Sequence, residues 1–293
     1  MTKQSGNHIQ WFPGHMAKGM RQIQEQLKVV DVVVELLDAR IPRSSSNSAI
    51  AELIGSKPRI VALNKADLAD PKATKKWQDF FALRGVPTIL LNAVSGLGLK
   101  ELTGAINKAM EPEFAKRARK GMLPRPARVM IVGIPNVGKS SLLNRLCGKN
   151  RVEVANRPGV TRAQKWIKTQ GGFDLLDTPG ILPPRLEDQE MARRLALTGG
   201  VKDDIYDMDL AVREFLDILR ASKSEALVER YKLDVDTVNH ADVEELLEKV
   251  GRIRGLLRSG NLVDLEKTGR VVIQEYRNGK LGAISLENPL EEG

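Results

Sequence analysis

Between residues 32 and 177 short apolar runs alternate with segments of helical period. Val32 to Asp38, Ile60 to Asn64, Thr88 to Leu91, Arg128 to Gly133, Trp166 to Thr169 and Phe173 to Asp177 read as strands, with helices expected near 17–28, 47–55, 71–84, 99–110 and 139–148. That alternation predicts an α/β fold, a doubly wound sheet with its ligand at the carboxyl ends of the strands. Beyond it the pattern becomes helical alone. Leu210, Val212, Phe215, Leu216 and Leu219 have helical spacing, as do Val243, Leu246, Leu247 and Val250. Val263, Leu265 and the run Val271 to Tyr276 fit helix or strand. The expected organisation is an α/β domain over 1–185 and a smaller, mostly α-helical domain over 186–293.

One junction in the α/β part carries chemistry. Gly133-Ile134-Pro135-Asn136-Val137-Gly138-Lys139-Ser140 fits G-x-x-x-x-G-K-[ST], entered from an apolar run and followed by the helical pattern Ser141 to Leu146. Such a chain turns sharply, so that backbone N–H groups from Asn136 to Ser141 and the helix N-terminus point at one anion. Lys139 is expected to reach the β- and γ-phosphates of a nucleotide. Ser140 is expected to offer its hydroxyl to Mg²⁺, an ion that keeps several waters and takes few protein oxygens. Asp177-Thr178-Pro179-Gly180 closes another strand, where Asp177 would hold the metal through a water and the Gly180 N–H would meet the γ-phosphate. Thr161, in the loop Arg157 to Arg162, would complete the Mg²⁺ shell when a γ-phosphate is present.

A second motif reads the base. Asn64-Lys65-Ala66-Asp67 follows the apolar Ile60 to Leu63, and a carboxylate at Asp67 can accept both the ring N–H and the exocyclic NH₂ of guanine. Adenine offers no such pair, and a pocket built on it rejects the analogue by about 10⁴ to 10⁵. Asn92 and Ala93, after the strand Thr88 to Leu91, are the expected partners, with the Ala93 N–H aimed at the guanine carbonyl. The base-reading motifs thus precede the phosphate loop, the reverse of the usual order. The fold class implied is a P-loop GTPase sheet in circularly permuted order, followed by the helical domain. Permutation is cheap where domain termini lie near each other on the surface.

The chain resembles the circularly permuted GTPases of the ribosome biogenesis GTPase A (YlqF-like) family over its whole length. The residues that carry the resemblance, beyond the shared motifs, are Trp11-Phe12-Pro13-Gly14-His15-Met16-Ala17-Lys18, Asp38-Ala39-Arg40-Ile41-Pro42 and Arg157-Pro158-Gly159. It implies a cytoplasmic factor that binds the immature large ribosomal subunit and hydrolyses GTP to GDP late in maturation, with a helical C-terminal domain on ribosomal RNA. Ile181 stands where many GTPases carry the glutamine that orients the attacking water, so unaided turnover is expected to be slow, about 10⁻⁴ to 10⁻³ s⁻¹. The resemblance points to His15 as the group that takes over that role, against the alternative that it packs or contacts RNA. Asn136 occupies the position at which some related GTPases coordinate K⁺ between the phosphates; the alternative is a loop asparagine bonded to its own backbone.

Charge and composition narrow the partners. A net charge of +9 and a pI near 9.6 suit a polyanion. One basic cluster, Lys116, Arg117, Arg119, Lys120, Arg125 and Arg128, spans a connector marked by Pro124 and Pro126. Another, Arg252, Arg254, Arg258, Lys267, Arg270, Arg277 and Lys280, lies in the C-terminal segment, and the scarcity of aromatics among them favours backbone contact with folded RNA. The single cysteine, Cys147, excludes an intrachain disulfide, and no apolar run approaches a membrane span. A cytoplasmic monomer is the expectation. Two other classes stay open: a GTP-dependent binding module for another structured RNA with hydrolysis as a slow timer, and a phosphotransferase, which the guanine pocket and the lack of an evident acceptor site disfavour.

Overall fold

The computed structural model describes residues 13–148, 166–176, 189–201 and 206–289, with side chains from Gly19 onward in the first helix. β1 (Val32–Asp38) is buried at every position, as a strand covered on both faces must be. It pairs in parallel with β2 (Arg59–Asn64) and β4 (Ala127–Val132). β3 (Thr88–Leu91) extends the sheet beyond β2, and β6 (Phe173–Leu176) extends it beyond β4. With the antiparallel edge strand β5 (Trp166–Lys168), the sheet order is β3-β2-β1-β4-β6-β5. Register places Asp38 opposite Asn64 and Asn64 opposite Leu91, so the loops that carry Asn64 to Asp67 and Asn92 to Ala93 leave one edge of the sheet together with the chain after β4.

Successive β1 side chains serve opposite faces. Val32, Val34 and Leu36 pack with Leu102 and Ile106 of α5 (Leu99–Arg119) and Leu142 of α6 (Lys139–Cys147). On the other side Val33 meets Ile23 and Leu27 of α1 (Pro13–Leu27) and Ile50 of α3 (Ser48–Ile54), while Leu37 meets Trp77 and Phe81 of α4 (Pro71–Leu83). Each such side chain contributes roughly 1.5–3 kcal/mol by leaving water. The short α2 (Pro42–Ser45) follows β1 at the ligand edge.

The C-terminal segment is helical, as expected: α7 (Gln189–Thr198), α8 (Met208–Tyr231), α9 (Val235–His240), α10 (Val243–Ile253) and α11 (Leu265–Arg277). Asp207, Asp234, Asp242 and Asp264 each cap a helix by accepting an N–H from its first turn, an arrangement worth about 1 kcal/mol apiece. The run Val271 to Tyr276 resolves as helix, and strand character is confined to a small hairpin, β7 (Leu257–Arg258) and β8 (Leu262–Val263). Phe215 and Tyr276 stack at 4.6 Å between centroids in the same apolar cluster as the β1 side chains, so helical segment and sheet share one core.

Two features differ from the sequence expectation. α5 runs on to Arg119, past Pro112, although the proline leaves the Lys108 carbonyl without its helical donor. Lys108 is exposed, so water can satisfy that carbonyl. The second difference is the chain after α11, which returns to the α/β part. Ile284 N–H donates to Leu68 O at 3.0 Å and Leu286 N–H to Arg40 O at 2.9 Å. The buried Glu287 carboxylate accepts the N–H groups of Arg43 (2.8 Å) and Ser44 (3.1 Å) at the start of α2. Lys223 of α8 clamps this tail from outside, with Nζ 3.0 Å from Ala283 O and 3.2 Å from Asp70.

Candidate nucleotide site

The site is assembled by one carboxamide. Asn64, 3% exposed at the end of β2, donates Nδ2 to Val137 O of the phosphate loop at 2.7 Å and accepts the Ala93 N–H on Oδ1 at 2.9 Å. Three loops far apart in sequence are thereby held in one arrangement. Glycine is forced where they cross: Gly138 has φ +105, and a Cβ there would sit 2.2 Å from Asn64 Nδ2. At Gly133 a Cβ would sit 2.5 Å from Leu36 O of β1.

On the phosphate side, Lys139 starts α6 and its Nζ donates to Gly133 O (2.9 Å) and Ile134 O (2.6 Å), bracing the loop it is expected to serve. Val137 and Ile134 are buried beneath, while Ser140 is exposed and Ser141 half-buried on the first turn. Asn136 takes the left-handed conformation (φ 58) that asparagine tolerates, and its Nδ2 donates to Gly199 O at 3.0 Å. Its amide therefore engages the end of α7 instead of its own backbone. The loop's glycines and helix N-terminus fit a polyphosphate, with Ser140 the described oxygen for Mg²⁺; the ion would neutralise charge between the phosphates.

On the base side, Asp67 lies in a 3₁₀ turn, Ala66–Leu68, with its carboxylate exposed. Lys65 precedes it with φ 59, and its Nζ is 3.0 Å from Asp38 at the end of β1. Asp38 also takes Arg40 bidentately, at 2.9 and 2.7 Å. Burial works to raise the Asp38 pKa, but Arg40 and Lys65 hold it down at about 2. Asn92 Oδ1 accepts from Val94 and Ser95 N–H, both at 2.9 Å, and Arg145 of α6 braces Val94 O at 3.1 Å.

The structure thus gathers Asn64, Lys65, Ala66, Asp67, Asn92, Ala93, Asn136, Val137, Gly138, Lys139, Ser140 and Ser141 at one edge. The Ala93 N–H, expected to meet a guanine carbonyl, donates to Asn64 Oδ1 at 2.9 Å, and Ala93 is 2% exposed. Thr161, Asp177, Gly180 and Ile181, and the side chain of His15, lie outside what the structure describes. Asp38 and Arg40 had no role assigned from sequence; the available signal was an Asp-Ala-Arg at the end of an apolar run, and the register of β1 with β2 is what sets it beside Asn64.

Residues 128–246 match the family model described as "50S ribosome-binding GTPase". The chain is 47% identical over 285 residues to the ribosome biogenesis GTPase A of Bacillus cereus, covering 97% of this chain and 95% of that one. Among solved structures it is similar to GDP-bound YlqF, with a TM-score of 0.67 at 30% identity over 92% of this chain and 99% of that one. It is also similar to GNP-bound YlqF from Thermotoga maritima, with a TM-score of 0.65 at 30% identity over 93% and 98%.

Proposed function

The chain belongs to the ribosome biogenesis GTPase A family, and from that premise we propose that it is an assembly factor of the large (50S) ribosomal subunit that binds ribosomal RNA in its GTP form and hydrolyses GTP when the subunit stimulates it. It is a GTPase with a circularly permuted P-loop fold, and it acts in ribosome biogenesis. The observation that carries the finer reading is the joint hold of α7 on both halves of the nucleotide site. Gly199 O takes Asn136 of the phosphate loop, and Thr198 O takes Arg40 beside the base-reading loop at 3.2 Å. α7 follows directly on the expected second switch, so a change at the γ-phosphate has a short path into the helical region.

In this reading Asp67 reads guanine, Lys139 and the N–H groups of Asn136 to Ser141 hold the phosphates, and Ser140, Thr161 and Asp177 hold Mg²⁺. Gly180 meets the γ-phosphate, His15 orients the attacking water in place of the absent glutamine, and Asn136 shares K⁺ with the phosphates. The protein works as a cytoplasmic monomer, with 1–185 the GTPase domain and 186–293 the RNA-binding domain. Among the described residues no helix is long and apolar enough to cross a membrane. Co-sedimentation checks the partner: a non-hydrolysable GTP analogue is expected to retain the protein on large subunits and GDP to release it. Equal retention in both states, or preference for tRNA or small subunits, contradicts the proposal.

A further inference from the structure

Beyond the end of β1 the chain stays as buried as the strand, and it carries charge. Asp38 is 2% and Arg40 1% exposed. Arg40 already satisfies Asp38 with Nε and Nη2, and adds its own N–H to Oδ1 at 3.1 Å. An Asp–Arg pair needs nothing more, yet Lys65 Nζ also reaches Asp38 Oδ2 at 3.0 Å. A loop lysine ordinarily keeps its ammonium in water, and fixing its long stem costs rotamer freedom. Here the ammonium is turned inward, and the side chain keeps 25% exposure. The anchor itself cannot swing. Arg40 Nη2 also donates to Thr198 O at 3.2 Å, its guanidinium lies 5.2 Å from the centre of the Tyr276 ring, and its own carbonyl accepts the Leu286 N–H at 2.9 Å.

We propose that Asp38 is a positioning residue for guanine recognition: held rigid by Arg40, it pins the Lys65 ammonium so that the methylene stem of Lys65 stands as a fixed wall of the base pocket beside Asp67. The inference rests on the reading of Asn64 to Asp67 as the guanine loop and adds a residue from a neighbouring strand. Lys65 is two residues from Asp67, as the N-cap of the 3₁₀ turn that contains Asp67. A stem fixed before the base arrives contributes affinity because its ordering cost has already been met in the free protein.

A double-mutant cycle read by titration of the full-length chain with fluorescent GDP tests this, with melting temperature recorded alongside. Asp38→Asn and Lys65→Met are each expected to weaken GDP about tenfold, and the double variant to be no weaker than the weaker single one, because both remove the same fixed wall. A purely structural Asp38 predicts losses that multiply to about a hundredfold, which overturns the inference, as does unchanged affinity in Asp38→Asn. Where Asp38→Asn does not fold, Asp38→Glu keeps the charge that Arg40 needs and displaces the anchor. It is expected to weaken GDP about tenfold while the variant still melts in one cooperative transition, and unchanged affinity overturns the inference. Failure of the unaltered chain to bind GDP overturns the guanine reading and this inference together; normal binding that ignores Asp38 overturns this inference alone.

Discussion

At the carboxyl edge of the sheet, Arg40 meets Asp38 at 2.7 Å with side chains 1% and 3% exposed; on the surface of α10, Arg252 meets Glu248 at the same 2.7 Å with side chains 49% and 51% exposed. The distance matches and the consequence does not. In water the attraction of such a pair is screened and offset by side-chain entropy, leaving about 0–1 kcal/mol. At the sheet edge neither partner can be removed without leaving a buried charge uncompensated, so the pair fixes the position of what it touches. The two regions teach that charge on this molecule acts through where it is buried, and at the nucleotide edge it is both buried and connected.

The same comparison revises the basic clusters. In the C-terminal one, Arg252, Arg254, Arg258 and Arg270 each bind a carboxylate of their own region, and Arg277 donates to the Ala196 and Leu197 carbonyls. In the connector, Arg125 is held by Asp31 at 2.7 Å, whereas Lys116, Arg119 and Lys120 stand exposed on and just after the last turn of α5. A phosphate backbone would therefore meet exposed charge at the end of α5, and in the C-terminal cluster chiefly at the exposed Lys267 and Lys280.

The largest effect is expected at the base. Asp67→Asn is expected to weaken GDP by about 10³-fold or more, measured by titration, because the two guanine donors lose their shared acceptor. Next is Asn64→Ala, which strands Val137 O and the Ala93 N–H. It is expected to cost about 2–4 kcal/mol in denaturant unfolding and to weaken GDP as the loops part. The triple change of Lys116, Arg119 and Lys120 to Ala is expected to reduce the slope of log affinity for ribosomal RNA against log salt by roughly 2 to 3, while changing Arg252, Arg258 and Arg270 moves it less. An equal effect of the two sets would erase the distinction drawn between them.

Acid titration sharpens it further. Glu275 is pushed up by burial but held down at about 2, from an ordinary 4.5, by hydrogen bonds from Arg230, Tyr231 and Arg254. Asp38 is likewise held at about 2, from 3.8. Because both folded values lie below the unfolded ones, their stabilisation is complete above about pH 4.5 and is lost as pH falls toward 2. Melting temperature should be flat from neutral pH down to that point and then drop, and Glu275→Gln should lower the plateau and flatten the drop. The smallest effect is reserved for the surface: Arg252→Ala should change unfolding free energy by less than about 0.5 kcal/mol.

Much of the fold was legible because its signals are local. Apolar runs ending in Asn64, Leu91 and Val132 gave the strands, and glycine and lysine spacing gave the phosphate loop. What was not legible depends on non-local closure. The tail carrying Ile284, Leu286 and Glu287 has no periodicity, and its acceptors at Leu68 and Arg40 lie more than two hundred residues earlier in the chain. The bond from the Ala93 N–H to Asn64 follows from how close β2 and β3 bring two loops, which spacing cannot supply. Asp38 and Arg40 stood out as a signature without a role, since only the register of β1 with β2 sets Asp38 beside the base-reading loop.

The nucleotide edge built by Asn64, Asp67 and Lys139 is proposed to serve the large ribosomal subunit. GTP turnover in K⁺ buffer, by the protein alone and with large subunits, small subunits or tRNA added separately, tests it most directly. Slow basal turnover and stimulation by the large subunit alone are expected; equal rates across all four conditions, or stimulation by tRNA or the small subunit, would contradict the proposed function.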